Sequence, residues 1–439
     1  MIEAQSRPLV SADGGIVSRR IFTDEAIYEL ERDRIFRQCW TFLGHDSMIP
    51  KAGDFISNYI GEDPVILWRG SSGQPRVFLN TCIHRGNKLC LFDSGHAPAL
   101  TCSYHGWTFN NEGQLTGVPF EKAAYPEGIE RGSRGLVTAK VATYGGLIFA
   151  SWDPSVPSLD DYLGEMRWWL DKFLCFDDFG GMTYLPSAQK YRMPGNWKLT
   201  ADNFIGDFYH VPIAHASFMR LFGAGDNRYE PNPMGSFSFL CEPAHGIGAV
   251  GTHDGQFQQD MHIAQYMGPD AQEWVKARDA KRKERLADAA KADGFIAGAT
   301  FPNMTFQGVG AFEGELIAVA HPRGPLAHEV WQWLLFERDA PASVRRYAAA
   351  WTARRQSANG LVGEEDGENF ERIAETARAP MTPELTFDYT MRGYTADRET
   401  WNVHGLPGEP SRAHFSETNQ RGFYRYWAKQ MGLEGQAAA

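Results

Sequence analysis

Long apolar runs are missing from this 439-residue chain. No stretch approaches the ~18 consecutive apolar residues needed to span a bilayer, and the run from Tyr144 to Trp152 has the length of a strand. Cysteine is scarce: six residues at irregular positions (39, 82, 90, 102, 175 and 241) do not make the framework of a secreted disulfide scaffold. Positive charge is also short. There are 43 Lys and Arg against 54 Asp and Glu, a formal net of −11, with no basic run, so neither nucleic acid nor an anionic membrane is an expected partner. The opening residues MIEAQSRPLVSADGG lack a charged-then-apolar leader pattern, and a reducing cytoplasm is the expected compartment. No internal repeat, low-complexity tract or glycine-rich dinucleotide fingerprint appears. What is present is the composition of a soluble globular protein, long enough for two or three domains of roughly 150 residues.

The texture of the chain divides it into 1–39, 40–155 and 156–439. Residues 1–20 read as loosely ordered. TDEAIYELERDRIFRQCW then predicts an amphipathic helix with Thr23 as N-cap and Ile27, Leu30, Ile35 and Phe36 on its apolar side. From about Trp40 to Trp152, short apolar runs broken by Gly, Pro, Asn and Asp predict compact antiparallel β-structure. Beyond it, LDDYLGEMRWWLDKF reads as a helix, and strands (GELIAVAHP, EVWQWLLFERDA) mix with helices (SVRRYAAAWTARR, DGENFERIAETARA) in an α+β pattern. Residues 276–293, charged on nearly every side, read as a solvated helix, and the Gly-rich stretch 246–255 as mobile.

Two clusters carry chemistry. The first is Cys82-Ile83-His84-Arg85-Gly86 and, after an interval, Cys102-Ser103-Tyr104-His105-Gly106-Trp107. Each half offers one thiolate and one imidazole, with a glycine that lets the backbone bend closely around a bound group. Such a set can hold zinc, or a [2Fe–2S] cluster in which imidazoles replace the thiolates on one iron. Zinc loops more often pair Cys with Cys and His with His, whereas an all-Cys iron beside an all-His iron needs both ligand types in each loop. The remaining cysteines read as small buried hydrophobes.

The second cluster is Asn196-Trp197-Lys198-Leu199 followed by ADNFIGDFYHVPIAHAS, with Asp202, Asp207, His210 and His215. Asp207 and His210 are neighbours on a helical face, but His210 and His215 would point apart on an unbroken helix. Pro212 is expected to end or kink the helix between them and so let both imidazoles face one metal ion. Two histidines and a carboxylate make the facial triad of non-heme Fe(II) oxygenases. The stretch 361–379 is the richest source of acids, and spacing does not choose among Glu364, Glu365, Asp366, Glu368 and Glu371.

C-x-H-R-G…C-x-x-H-G-W resembles the Rieske signature. With the second cluster, the chain resembles over nearly its full length the large (α) subunit of Rieske non-heme iron aromatic-ring-hydroxylating dioxygenases. That resemblance implies an α+β architecture. An all-β Rieske domain (40–155) is inserted near the N-terminus of a helix-grip-like catalytic domain of antiparallel sheet plus helices (156–439), on which segment 1–39 packs. It implies that Cys82, His84, Cys102 and His105 hold the [2Fe–2S] cluster. It further implies that His210, His215 and Asp366 (in D-G-E-N) hold mononuclear Fe(II), and that Asp207 links an iron histidine to a Rieske histidine of the next subunit. The implied reaction takes O2 and NAD(P)H-derived electrons, delivered through a reductase and usually a ferredoxin, and dihydroxylates an arene in cis. The implied assembly is a head-to-tail trimer of α-subunits, with a small β-subunit.

Asn203, Phe204, Val211, Met219, Leu221 and Phe222 stand near the ligands in sequence, and by resemblance Phe301, Asn303 and Phe306 line the pocket. An apolar, aromatic lining suits a mono- to polycyclic aromatic hydrocarbon. An aromatic carboxylate would need a cation there, for which Arg220, Arg228 and Arg392 are candidates. The rival readings are a Rieske monooxygenase or demethylase, an electron-transfer Rieske protein and a zinc-stabilised binding protein. Arg76, Arg85 and Lys88 against Asp93 alone suggest a docking patch for an acidic electron carrier.

Overall fold

The runs DFISNYI and DPVILWR hold the β-branched and aromatic residues that pleated strands favour, and they pair as antiparallel strands Asp54–Ile60 and Asp63–Arg69. The computed structural model describes residues 8–174, 179–185, 188–221, 236–250, 253–286, 295–308, 310–393 and 405–433. In it the chain divides into two units, one of residues 32–159 and another built from the described residues up to Glu31 and from Asp160 onward. In the first unit those two strands are flanked by Pro75–Leu79 and Ser94–His96, beside two three-stranded antiparallel sheets. Trp68, Phe78, Trp107 and Phe109 fill the core together with Cys82, Cys90 and Cys102. Burial of a side chain of this size contributes about 1.5–3 kcal/mol, so the two loops that carry Cys82 and Cys102 are anchored from behind.

In the second unit, Glu315–Pro322 and Ala327–Glu337 are buried along nearly their whole lengths, which explains their almost unbroken apolar text. They sit within an antiparallel sheet that has nine strands among the described residues. Its spatial order runs Met182–Tyr184, Ala327–Glu337, Glu315–Pro322, Met304–Gly308, Phe295–Thr300, His245–Val250, Ser236–Cys241 and Glu409–Ser411, with Gln189–Pro194 also pairing on Ala327–Glu337. Helix Trp197–Phe204 lies on the strands from Phe295 to Glu337, helix Leu361–Ala377 packs on Gln189–Pro194, and helix Thr418–Gln430 packs on Ser236–Cys241 and His245–Val250. The fold is α+β, an antiparallel sheet holding helices, as the sequence implies.

Local readings differ in several places. Ile16–Ser18 is a strand, paired with Thr386–Asp388, so this part of the stretch read as loosely ordered is tied into a sheet. The first helix spans Glu25–Glu31 and is capped by Asp24 rather than Thr23: Asp24 Oδ1 accepts from the backbone N–H of Ala26 (2.9 Å) and Ile27 (3.3 Å). Leu30 is exposed. The described part of 276–293 is helical to Leu286, but Arg278 and Arg282 are buried. Arg278 pairs with Glu337 (2.6 Å) and Glu315 (3.3 Å), an ion network that a count of charges does not distinguish from a solvated face. The stretch from Gly246 is not a mobile loop but strand His245–Val250. Its glycines make room: a Cβ on Gly246 would meet Ile205 Cγ1 at 2.6 Å, and one on Gly248 would meet the Phe208 ring at 2.1 Å. They seat the segment that leads into His210.

Candidate metal centres

In the 32–159 unit the two Cys/His loops have the same backbone closure. Cys82 N–H donates to Asn87 O and Gly86 N–H to Cys82 O (both 2.8 Å); Cys102 N–H donates to Trp107 O (2.8 Å) and Gly106 N–H to Cys102 O (2.9 Å). Gly86 and Gly106 sit at φ +74° and +72°, a conformation that a side chain disfavours, so each glycine is required by its turn. The fold thus makes two equivalent tips from sequences that place His at different offsets. The rings of His84 and His105 lie 4.6 Å apart between centroids, and His84 stacks on Trp107 at 4.6 Å.

Burial and the adjacent Cys102 thiol push the Cys82 thiol up. Burial pushes the Cys102 thiol up, but hydrogen bonds from Tyr104 N–H, the Asn87 amide and His105 N–H outweigh it and hold the thiol below its ordinary value. Burial, together with His105, Arg85 and Arg134, holds His84 low, as a neutral imidazole. The buried Nδ1 of His84 has no hydrogen-bond partner among the described residues, a cost that ligation of that nitrogen would remove. These donors fit a [2Fe–2S] group with two thiolates and two neutral imidazoles.

In the other unit, Pro212 does not end a helix but starts one. Helix Trp197–Phe204 closes first, His210 then caps the short helix Val211–Ala214, and Pro212 occupies its first turn, where no N–H is needed. His215 follows directly, and the ring centroids of the two histidines are 5.1 Å apart. Helix Leu361–Ala377 brings Asp366 to them. His210 Nε2 is 3.2 Å from His215 Nε2, and Asp366 Oδ1 is 3.5 Å from the first and 3.3 Å from the second.

Both imidazoles are oriented from behind. His210 Nδ1 lies 3.1 Å from Asp207 Oδ2, and His215 Nδ1 lies 2.8 Å from Glu365 Oε2, whose other oxygen accepts from Ser217. At His215 this contact is a hydrogen bond, and an Nδ1–H donated to a carboxylate leaves Nε2 with its lone pair; at His210 it is a close charge contact that favours the same arrangement. Two such lone pairs and a carboxylate oxygen repel one another unless a cation lies between them. Donors each about 2.1 Å from one ion and at right angles would stand roughly 3 Å apart, so the observed separations fit a metal. Burial alone would pull His210 down, but the charge and hydrogen bonds of Asp207, with the charge of Asp366, push it up to about 9, which marks a pocket that draws positive charge. Asn203 Nδ2 stands 3.3 Å from Asp366 Oδ1 and 3.4 Å from His210 Nε2.

Asp366 also forms part of the wall of a small cavity of about 30 Å³. Phe204 and Phe306 line it, as does Tyr191, whose hydroxyl is pushed up by burial and by the charge of Asp366. No Lys or Arg is among the described residues of the lining. Val211 and Met219 are half-buried on the short helices that flank His215. Phe301 lies elsewhere, against the rings of Phe423 (5.1 Å) and Tyr426 (5.0 Å), and Asn303 is buried with its amide on Ala320 O (3.0 Å). Arg220 is exposed, and Arg392 is exposed and paired with Asp13; Phe222, Arg228 and the side chain of Leu221 fall outside the described residues. Sequence reasoning left Glu365 among undifferentiated acids and missed Thr305, Gln307 and Gln356, which also line the cavity. The available signal was the pair of polar residues two apart in the strand text MTFQG.

Residues 183–433 match the family described as "Ring hydroxylating alpha subunit (catalytic domain)", and residues 39–144 match the "Rieske [2Fe-2S] domain". The chain is similar to the biphenyl 2,3-dioxygenase subunit alpha of Rhodococcus jostii (strain RHA1), 37% identical over 98% of this chain and 92% of that one. It is also similar to the benzene 1,2-dioxygenase subunit alpha of Pseudomonas putida, 34% identical over 96% and 92%. Among solved structures, naphthalene 1,2-dioxygenase from Rhodococcus sp., bound to indole, superposes with a TM-score of 0.82 at 29% identity, covering 96% of this chain and 95% of that one.

Proposed function

Because the chain belongs to the ring-hydroxylating oxygenase alpha subunits, which join a Rieske [2Fe–2S] domain to a non-heme iron catalytic domain, we propose that it is the terminal oxygenase component that dihydroxylates a neutral aromatic ring in cis. It uses O2 and NAD(P)H-derived electrons. The observation that carries this reading is the convergence of His210, His215 and Asp366, with each imidazole held from behind by a carboxylate, beside a cavity walled by aromatic rings.

In this reading Cys82, His84, Cys102 and His105 hold the cluster, and His210, His215 and Asp366 hold Fe(II). When bound, the cluster supplies electrons singly and the ferrous ion supplies the position at which O2 is reduced. The chain's own residues do the rest. Glu365 keeps His215 in the form that ligates through Nε2, and the charge of Asp207 stands 3.1 Å behind His210 Nδ1. Phe204 and Phe370 offer apolar ring surface next to Asp366 that excludes water. Among the described residues the lining has no Lys or Arg to balance a carboxylate, which favours a neutral substrate over an aromatic acid.

The electrons come through a reductase and a ferredoxin, since the chain has no dinucleotide fingerprint of its own. Around the cluster loops, Leu91, Phe92 and Tyr104 are exposed apolar surface of the kind that partners cover. Arg85 and Lys88 are exposed there too, whereas Arg76 is paired with Glu112 at 3.0 Å, which narrows the basic patch. A head-to-tail trimer with a small β-subunit belongs to this proposal, as does Asp207's role as a link between metal centres of neighbouring subunits. No described helix is long and apolar enough to cross a membrane, and the five described cysteines are free, which fits a reducing cytoplasm.

The test is product analysis under labelled dioxygen, with ferredoxin and reductase supplied. The expected product is a cis-dihydrodiol carrying two labelled oxygens; one labelled oxygen overturns dihydroxylation in favour of monooxygenation. Asp207→Ala, loaded with excess Fe(II), is expected to keep the visible spectrum of the cluster and its iron but to lose turnover. Full activity in that variant would remove Asp207 from the electron path.

A further inference from the structure

The cavity beside Asp366 is not apolar throughout. Strands Met304–Gly308, Glu315–Pro322, Ala327–Glu337 and Gln189–Pro194 run side by side, and their register aligns Thr305, Ala318, Gln332 and Gln189 in one row. Gln307, two residues after Thr305, lies on the same face. Thr305, Gln307, Gln332 and Gln356 all line the cavity. The sequence predicts a hydrocarbon pocket; the sheet instead supplies one polar wall.

Part of that wall is explained by the fold. The Gln332 amide donates to Gln189 Oε1 and to the Gln356 carbonyl, both at 2.9 Å, and so ties two strands to the end of a helix. The Gln356 amide donates to Gln307 Oε1 at 3.3 Å. The chain of donors stops there. Gln307 Nε2 and Thr305 Oγ1 are buried and have no hydrogen-bond partner among the described residues, although their residues are only 3% and 1% exposed. Two unpaired polar groups on one face of a core strand carry a cost that Leu or Val would not. Both stand on the wall of the cavity that contains Asp366.

We propose that this wall recognises a neutral hydrogen-bond-accepting group on the arene, a carbonyl or comparable oxygen, with the Gln307 amide as donor and Thr305 as a second partner. This rests on the dioxygenase reading and narrows its substrate from neutral arenes in general to neutral oxygen-bearing arenes. Gln356 acts as a positioning residue: by donating to Gln307 Oε1 it fixes which end of that amide is left for the substrate. A charged carboxylate is not the match, since no Lys or Arg lines the cavity among the described residues.

The test compares a shape-matched pair, 9-fluorenone and fluorene, on the full chain with its metals loaded. Equilibrium binding and kcat/KM are both measured. Wild type is expected to favour the ketone by at least about tenfold, the equivalent of about 1.4 kcal/mol. Gln307→Leu is expected to bring the ratio close to one mainly by weakening the ketone, and because it also removes the acceptor of the Gln356 amide its thermal midpoint is measured alongside. Thr305→Val, nearly isosteric, guards against misfolding of the first variant and is expected to lower the ratio by a smaller factor. Equal binding of the two arenes to wild type, or an unchanged ratio in both variants, overturns the proposal. A binding preference that persists while neither arene is dihydroxylated supports the wall and overturns the dioxygenase reading instead.

Discussion

Glu365 stands one residue before Asp366, and the helix turns the two acids to different tasks. Asp366 Oδ1 faces both imidazole Nε2 atoms, while Glu365 Oε2 reaches the far nitrogen of His215 at 2.8 Å. The backbone carbonyl of Glu365 is held by Asn369 Nδ2 at 2.9 Å and its second oxygen by Ser217, so its reach is set from several directions. A carboxylate in this position fixes the tautomer and raises the basicity of the ligating nitrogen. Glu365→Ala is therefore expected to weaken Fe(II) retention roughly 10–100-fold, read as iron content after dialysis against a graded chelator series, with the cluster spectrum as internal control. Glu365→Gln, which can still accept at one oxygen, is expected to recover part of that loss. Iron retention equal to wild type in the alanine variant would show that Glu365 plays no part in holding the metal.

Strand His245–Val250 carries Gly246 and Gly248 on one face, and the space they leave is filled by Ile205 and Phe208, the residues that carry the chain from helix Trp197–Phe204 towards His210. The position of His210 therefore depends on the thinness of a neighbouring strand. Gly248→Ala would place a Cβ at 2.1 Å from the Phe208 ring, closer than atoms can approach, so the ligand segment must shift. The expected outcome is a destabilisation of about 1–3 kcal/mol from overpacking, accompanied by loss of mononuclear iron while the cluster spectrum stays intact. Urea titration and metal analysis read the two effects separately. An unchanged iron content would mean that the histidines are placed without help from this strand.

Across the catalytic unit, distant segments are tied to helix Trp197–Phe204 by buried polar groups. Glu31 accepts from Lys198, Trp197 and Trp427, and Asp202 accepts from the hydroxyls of Tyr389 (2.5 Å) and Tyr424 (2.9 Å). Burial, aided by the charge of Asp207 and opposed by the tyrosine hydrogen bonds, pushes Asp202 up to about 7. The sign of the pH effect follows. An acid whose folded pKa is raised binds its proton more tightly in the native state, so its contribution is complete below about 4 and is lost as pH rises through 7. Asp202→Asn, neutral at every pH, is expected to gain stability relative to wild type over that window at up to about 1.4 kcal/mol per unit, and then to run parallel. Chemical denaturation at pH 5, 6, 7 and 8 measures the difference; a gap that does not change with pH would mean that Asp202 is charged throughout.

Sequence alone determined the features set by neighbours along the chain. The paired Cys/His loops, the need for Gly86 and Gly106, the two histidines around Pro212 and the strand or helix character of most segments are of this kind, because backbone sterics and short spacings act locally. The same local reasoning misread Pro212 as a stop, since a proline ends one helix and starts another by the same missing N–H. It also took the glycines of His245–Val250 for mobility and the charges of Pro269–Leu286 for a solvated face. Only the tertiary structure decided which acid faces His210 and His215, which one steadies His215 from behind, and which wall of the cavity is polar. Those outcomes depend on strand register and on helices brought together from far apart in the chain. Hydrogen bonds and packing of that kind are satisfied in three dimensions and leave no periodicity in the text.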